Sequence, residues 1–281
     1  MTEADEQAAP RRVSRAGRDL RAAIAVGVAL GALALLCLFT WKWSFIAFAA
    51  IAITVGVLEL CTALHAQGLR MSRGVLVAAA VVVPVVAAVW GVTGQLAAFG
   101  VVVLALLLWH LRFGPEGYVR DVAANVLVAA YLPFMVGFVM LLLAPADGPE
   151  RVVAFVLLTV CNDVGGYAAG VLFGRHAIAP AISPRKSWEG LAGSFVLQAV
   201  AGVLLFTLML DGQWWQGLIC GLVLTVTATT GDFAESALKR DLGVKDLGTV
   251  LPGHGGAMDR LDSLIPNAFA SWALFTAFLG S

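Results

Sequence analysis

Nine long apolar stretches run through this chain, at residues 22–40, 43–64, 75–91, 95–111, 122–143, 152–173, 190–210, 214–231 and 263–280. A helix that crosses a bilayer needs about 20 mostly apolar residues, and each stretch approaches that length. The runs are continuous, whereas the strands of a membrane barrel would alternate apolar and polar positions. Charged residues make up 13% of the chain and apolar ones 60%. Soluble domains carry about 25% charged residues, so a water-facing surface for 281 residues could not be assembled from this supply. The expected fold is an all-α integral membrane protein, a polytopic bundle of about nine transmembrane helices.

The few charges are placed unevenly. With a cytoplasmic N-terminus, nine crossings put the N-terminal tail and the segments 65–74, 112–121, 174–189 and 232–262 on the inside. Of the 18 basic residues, all but Lys42 and Arg151 fall in those inside segments. That bias follows the positive-inside rule and fixes the expected orientation. Residues 1–21 read as a disordered cytoplasmic tail. The apolar run after it lacks a small-residue cleavage site, so it is read as a retained first span. Residues 22–150 form an N-terminal transmembrane region, and 151–281 a C-terminal catalytic region with cytoplasmic loops 174–189 and 232–262. Trp41, Trp43, Trp214 and Trp215 sit at the outer boundary, as interfacial anchors do. Cys37, Cys61, Cys161 and Cys220 lie scattered in apolar stretches and read as unpaired thiols. The net charge is zero, which implies no nucleic-acid partner.

One third of all the acids crowd into GDFAESALKRDLGVKDLGTVLPGHGGAMDRLD, residues 231–262. If the eighth span continues as a helix past the membrane surface, Asp232, Glu235, Ser236 and Lys239 share one side, with Arg240 at its edge. Gly243, Gly248, Pro252, Gly253, Gly255 and Gly256 then keep the chain out of regular helix until the ninth span begins near Asp259. Consecutive antiparallel spans are usually neighbours, so Asp232 and Asp259 can meet. Two carboxylates repel unless a cation holds them, and hard oxygen ligands without thiol or imidazole pairs point to Mg²⁺. Gly255 and Gly256 offer backbone N–H groups to an anion. The residues thus describe a metal-assisted phosphate site at the inner membrane surface.

This segment resembles the signature of the phosphatidate cytidylyltransferases, which make CDP-diacylglycerol. The matching residues are Ser236, Lys239–Arg240, Lys245–Asp246, Pro252, His254–Gly255–Gly256, Asp259–Arg260 and Asp262, at fixed spacing. Ala257 departs from the pattern, where the family has a larger apolar residue. SPRKSWEG, Ser183 to Gly190, is similar to a second cytoplasmic motif of the family, with conservative changes at Arg185 and Ser187. NDVGGYAAG, Asn162 to Gly170, is a looser match, and the first 150 residues match as generic spans. The resemblance implies transfer of a cytidylyl group from CTP to phosphatidate in the inner or plasma membrane, with Mg²⁺ and room for a second cation. It assigns Asp232 and Asp259 to metal, and Lys239, Arg240, Lys245 and Arg260 to phosphate contacts. Asp246 and Asp262 become orienters or further ligands, and His254 a phosphate contact or a loop-structuring group. Asp163, Ser183, Lys186, Ser187 and Glu189 help bind substrate, with Ser187 also placed to cap the seventh span. A homodimer is compatible with the sequence.

Two other readings use the same residues. A related CTP-dependent enzyme could act on a polyprenyl alcohol. An ion-coupled transporter would use the intramembrane acids Glu59 and Asp163, although inverted repeats are not evident. Glu59 has no motif around it, and its expected partner is Asn125 or a backbone group.

Overall fold

The computed structural model describes residues 20–244, 246–248 and 256–280. All nine apolar stretches are helical. The first half of the chain gives α1 (Leu20–Thr40), α2 (Lys42–Ala66), α3 (Arg73–Leu111), α4 (Tyr118–Ala129) and α5 (Met135–Leu142). The second half gives α6 (Gly148–Phe173), α7 (Trp188–Leu208), α8 (Trp214–Asp241), the one-turn α9 (Met258–Leu261) and α10 (Leu264–Leu279). Six of these elements are long and apolar enough to cross a membrane, α4 and α5 counting as one. Large apolar side chains such as Val101, Val171 and Leu208 stand on the outer surface, which is favourable where lipid replaces water. The chain is an all-α, multi-pass membrane protein. The four cysteines are free; of the tail expected over residues 1–21, residues 20 and 21 already belong to α1, and the rest lies outside the described residues.

Two interruptions shape the first half. Gly91 takes φ 65°, the left-handed region that glycine adopts without a Cβ penalty, in the middle of α3. The run folds back there, because His110 Nε2 lies 3.1 Å from the Arg70 carbonyl and so the two ends of α3 meet. The apolar stretches 75–91 and 95–111 leave residues 92–94 between them, yet the break is tighter, with helix resuming directly after Gly91. Between α4 and α5, Pro133 lacks an N–H and its ring crowds the preceding turn. The helix relaxes into a π-turn over Ala130–Phe134, and Gln95 Nε2 donates to the Phe134 carbonyl at 2.8 Å.

The second half packs by backbone contact. Gly202 and Gly217 face each other across the α7–α8 crossing, and Gly165 and Gly193 across α6–α7, so closely that a Cβ on any of them would overlap the opposing helix. Small residues of this kind let membrane helices approach and gain van der Waals contact. Buried polar side chains tie the same helices. Gln198 donates to the Leu158 carbonyl at 2.9 Å, Thr225 to Gln198 at 3.1 Å, Ser194 to the Asn162 carbonyl at 2.7 Å, and Asn267 to Thr159 at 3.0 Å. Between α6 and α7 the chain forms a small antiparallel hairpin, β1 (Ala177–Ala179) with β2 (Ser183–Ser187). This hairpin lies in the segment 174–189, expected from the sequence as loop. It is the one β element among the described residues.

Candidate active site

α8 continues past its apolar part to Asp241 and so carries Asp232, Glu235, Lys239 and Arg240 on its C-terminal turns. The helical facing expected for them holds. Lys239 Nζ bridges Glu235 of its own helix at 2.6 Å and Asp259 of α9 at 3.0 Å. One turn earlier, Asp232 receives Lys186 of β2 at 2.7 Å, and the same ammonium stands 4.8 Å from the centre of the Phe233 ring. Two cations thus pin β2 and α9 against the end of α8.

A cavity of about 340 Å³ lies between these elements. α6 lines it with Asn162, Asp163, Gly166 and Tyr167, and β2 with Arg185, Lys186 and Ser187. α7 adds Gly190, Leu191 and Ser194, α8 adds Thr229 and Asp232, and the α9 region adds Asp259, Arg260 and Asp262. A larger concavity, about 1040 Å³ between the arms of α3, is lined by apolar and small side chains and holds no titratable group. Chemistry requires the smaller one, where acids and cations converge.

The acids divide into two kinds. Asp259 is satisfied: burial alone would raise its carboxyl, but the Gly256 N–H at 2.8 Å and Lys239 hold it below the ordinary carboxylate range. Asp262 is not. Burial, with the Asp232 and Glu235 carboxylates close by, pushes it up to about 9, and its carboxyl faces Asp232 at hydrogen-bonding distance. Asp163 approaches the same place, with Asn162 donating to it at 3.1 Å. Among the described residues no group of three or more acid, histidine or cysteine side chains has the spacing of a complete metal cage. Mg²⁺ in nucleotide sites asks for less: one or two carboxylates, with water and substrate phosphate completing the shell. The facing pair Asp232 and Asp262 has oxygen-only donors, and a divalent ion bound between them would let both ionise side by side. The donor set therefore fits. Spacing had singled out Asp259 as the partner of Asp232; both line the cavity, but Asp262 faces Asp232 directly.

The remaining expected residues fall around this centre. Ser187 caps α7 by accepting from Gly190 N at 3.1 Å. Glu189 sits at the hairpin base, accepting from Arg175 N at 3.1 Å and pairing with His176 at 2.5 Å. Arg240 Nε donates to the Ile182 carbonyl at the hairpin turn, 3.3 Å away. Ser183 is half-buried on β2, Ser236 half-buried on α8, and Asp246 half-buried beyond it. Gly256 donates to Asp259 as described. Lys245, Pro252, His254 and Gly255 lie outside the described residues.

Three residues of the first half reach this region without any motif to announce them. Tyr131, on the π-turn, places its hydroxyl 3.5 Å from the Asp262 carbonyl. Gln67 Nε2 donates to the Leu242 carbonyl at 2.8 Å. Glu59 accepts from Met258 N at 3.0 Å. Asn125, its other expected partner, instead joins Ser72, Arg70 and Asp121.

The model of the cytidylyltransferase family matches residues 21–278. The phosphatidate cytidylyltransferase of Mycobacterium bovis is 38% identical over 94% of this chain and 90% of its own length. That of Mycobacterium leprae is 39% identical over 95% of this chain and 90% of its own. A more distant relative, the phosphatidate cytidylyltransferase of Staphylococcus saprophyticus, is 29% identical over 88% of this chain and 94% of its own.

Proposed function

Because the chain belongs to the cytidylyltransferase family, we infer that the cavity between α6, α7, α8 and α9 is a cytidylyltransferase active site. The protein transfers a cytidylyl group from CTP to phosphatidate, forming CDP-diacylglycerol and pyrophosphate. The observation that carries this reading at the level of residues is the convergence of Lys186, Arg185, Arg260, Asp232 and Asp262 on one cavity at the end of apolar helices.

The reaction forms a bond between a phosphate oxygen of phosphatidate and the α-phosphorus of CTP. The bond from that phosphorus to the β-phosphate oxygen breaks, and pyrophosphate leaves with the electron pair. The attacking oxygen is already anionic, so no general base is needed. The barrier lies in bringing one polyanion against another, and preorganised cations lower it. Lys186, Arg185 and Arg260 line the cavity and take phosphate oxygens. Lys239 holds Asp259 in place from α8, and Asn162 orients Asp163. Asp232 and Asp259, with Asp262 facing Asp232, would hold Mg²⁺ and leave room for a second cation. Such an ion neutralises charge on the nucleotide phosphates when bound.

The same reading gives nine crossings with the N-terminus and the site on the cytoplasmic side of the inner or plasma membrane. The packing of the basic loops supports it. Arg120 donates to the Gly68 carbonyl at 3.1 Å and Arg70 to the Phe113 carbonyl at 3.3 Å. Gln67 joins Leu242, and Arg240 joins Ile182, so all four basic connections gather at one end. Phosphatidate enters sideways from the bilayer beside Tyr167, which lines the cavity yet is 75% exposed.

Purified protein incubated with CTP and phosphatidate should release pyrophosphate, and chelating Mg²⁺ should abolish the release. Release with a polyprenol but not with phosphatidate would overturn the lipid assignment, and full turnover after chelation the metal assignment.

A further inference from the structure

Glu59 is a carboxylate in the middle of an apolar helix, far along the chain from Asp163, the first acid of the cavity; what matters is where α2 brings it. Its side chain is 7% exposed and points at the return of the catalytic loop. Oε2 accepts the Met258 N–H at 3.0 Å, next in the chain to Asp259. The two backbones that close the loop base, Gly248 and Gly256, are in contact at this point. A Cβ on Gly256 would stand 2.8 Å from Gly248 N and 2.7 Å from Glu59 Oε2. A Cβ on Gly248 would overlap the Glu59 carboxyl itself. One turn earlier on α2, Gly56 faces the Leu261 side chain of α9, and further along Gln67 holds Leu242, where α8 ends. α2 therefore touches the catalytic loop both where it departs and where it returns.

We propose that Glu59 is a positioning residue for the transfer reaction: it fixes the base of the loop between α8 and α9 and thereby sets where Asp259 stands. The inference rests on the cytidylyltransferase reading above. The physical reasoning is local. Glycines at 248 and 256, having no Cβ, leave a slot that the Glu59 carboxyl occupies. The Met258 N–H would otherwise be a buried donor without this partner and would bear the full cost of losing water. Asp259 then receives Gly256 N and Lys239 from a base that cannot shift. Groups that orient a ligand carboxylate are worth about 10–100-fold in activity or metal affinity.

The test uses the full chain in lipid nanodiscs, with Glu59→Ala and Glu59→Gln, assayed for pyrophosphate release from CTP and phosphatidate and for amide exchange. Glu59→Ala should lower kcat by about 10–100-fold. Glu59→Gln keeps a carbonyl oxygen for the Met258 N–H and should recover most of it. Exchange at Gly256–Met258 should quicken in Glu59→Ala while the amides of α6 and α7 keep their wild-type rates. Wild-type kcat in Glu59→Ala would overturn the proposal. So would a loss in Glu59→Gln as deep as in Glu59→Ala, or faster exchange throughout α6 and α7. Should Glu59→Ala fail to fold, Gly248→Ala pushes on the same carboxyl from the loop side; it too should lower kcat, and a wild-type value would refute the slot. An inactive wild type would instead overturn the activity assignment, which keeps the two failures distinct.

Discussion

The two halves of this molecule solve the same packing problem in different ways. In the second half, α6, α7 and α8 meet backbone to backbone at glycine pairs and are cross-tied by Gln198, Ser194, Thr225 and Asn267. In the first half, α2, α3 and α5 meet through large side chains such as Ile53, Leu60, Leu76, Leu106 and Met140. There the α3 arms leave a wide apolar groove, and a Cβ on Gly100 or Gly31 would meet nothing within 4 Å. The difference teaches where rigidity is needed. The walls of the cavity come from the half whose helices cannot slide, because every ångström of separation between glycine-packed backbones loses contact on both sides. The first half lends the site single polar contacts from α2 and the π-turn.

The sharpest break of that comparison is at the cavity. Asp232→Asn removes the charge that receives Lys186 and faces Asp262, while the glycine-packed walls remain. Activity should fall about 10²–10³-fold, the scale of losing one preorganised electrostatic group. The protein should stay folded in detergent, by size-exclusion profile and thermal melt. Near-wild-type turnover would mean that the second half is a scaffold and that the chemistry lies elsewhere.

How much of this was legible follows the same division. The helices could be read because the bilayer imposes a length, and the acids of the 231–262 segment because a helix of fixed pitch aligns residues 232, 235 and 239. The strand pairing of 177–179 with 183–187 was not legible, since three residues of strand carry too little pattern to separate from loop. Spacing pointed to Asp259 as the partner of Asp232, whereas Asp262, one helical turn on, faces it, because the packing of α9 on α8 decides. Tyr131, Gln67 and Glu59 were invisible as site neighbours for a deeper reason. Their partners are 131, 175 and 199 positions away along the chain. Local periodicity holds no information at that range. For Glu59 a backbone partner could be expected but not which one; it is Met258 N, beside the slot between Gly248 and Gly256.

The comparison sharpens at smaller effects when one methyl group is added to each half. In Gly217→Ala the new Cβ would stand 2.6 Å from the Gly202 carbonyl carbon and 2.9 Å from Phe206 Cβ, against backbone that cannot swing aside. Overpacking of this kind costs about 1–3 kcal/mol, so the detergent melting temperature should drop and turnover with it, as the α7 wall moves. Gly100→Ala is the counterpart. Its Cβ meets nothing within 4 Å, its backbone is helical, and alanine is the better helix former. The change in stability should stay within about 0.5 kcal/mol, with kcat unaltered. If Gly100→Ala proved as damaging as Gly217→Ala, that face of α3 would have to be covered by something close-packed in the membrane. The first half would then owe its order to that contact, and the contrast drawn between the two halves would be one between a surface already buried within the chain and a surface buried from outside it.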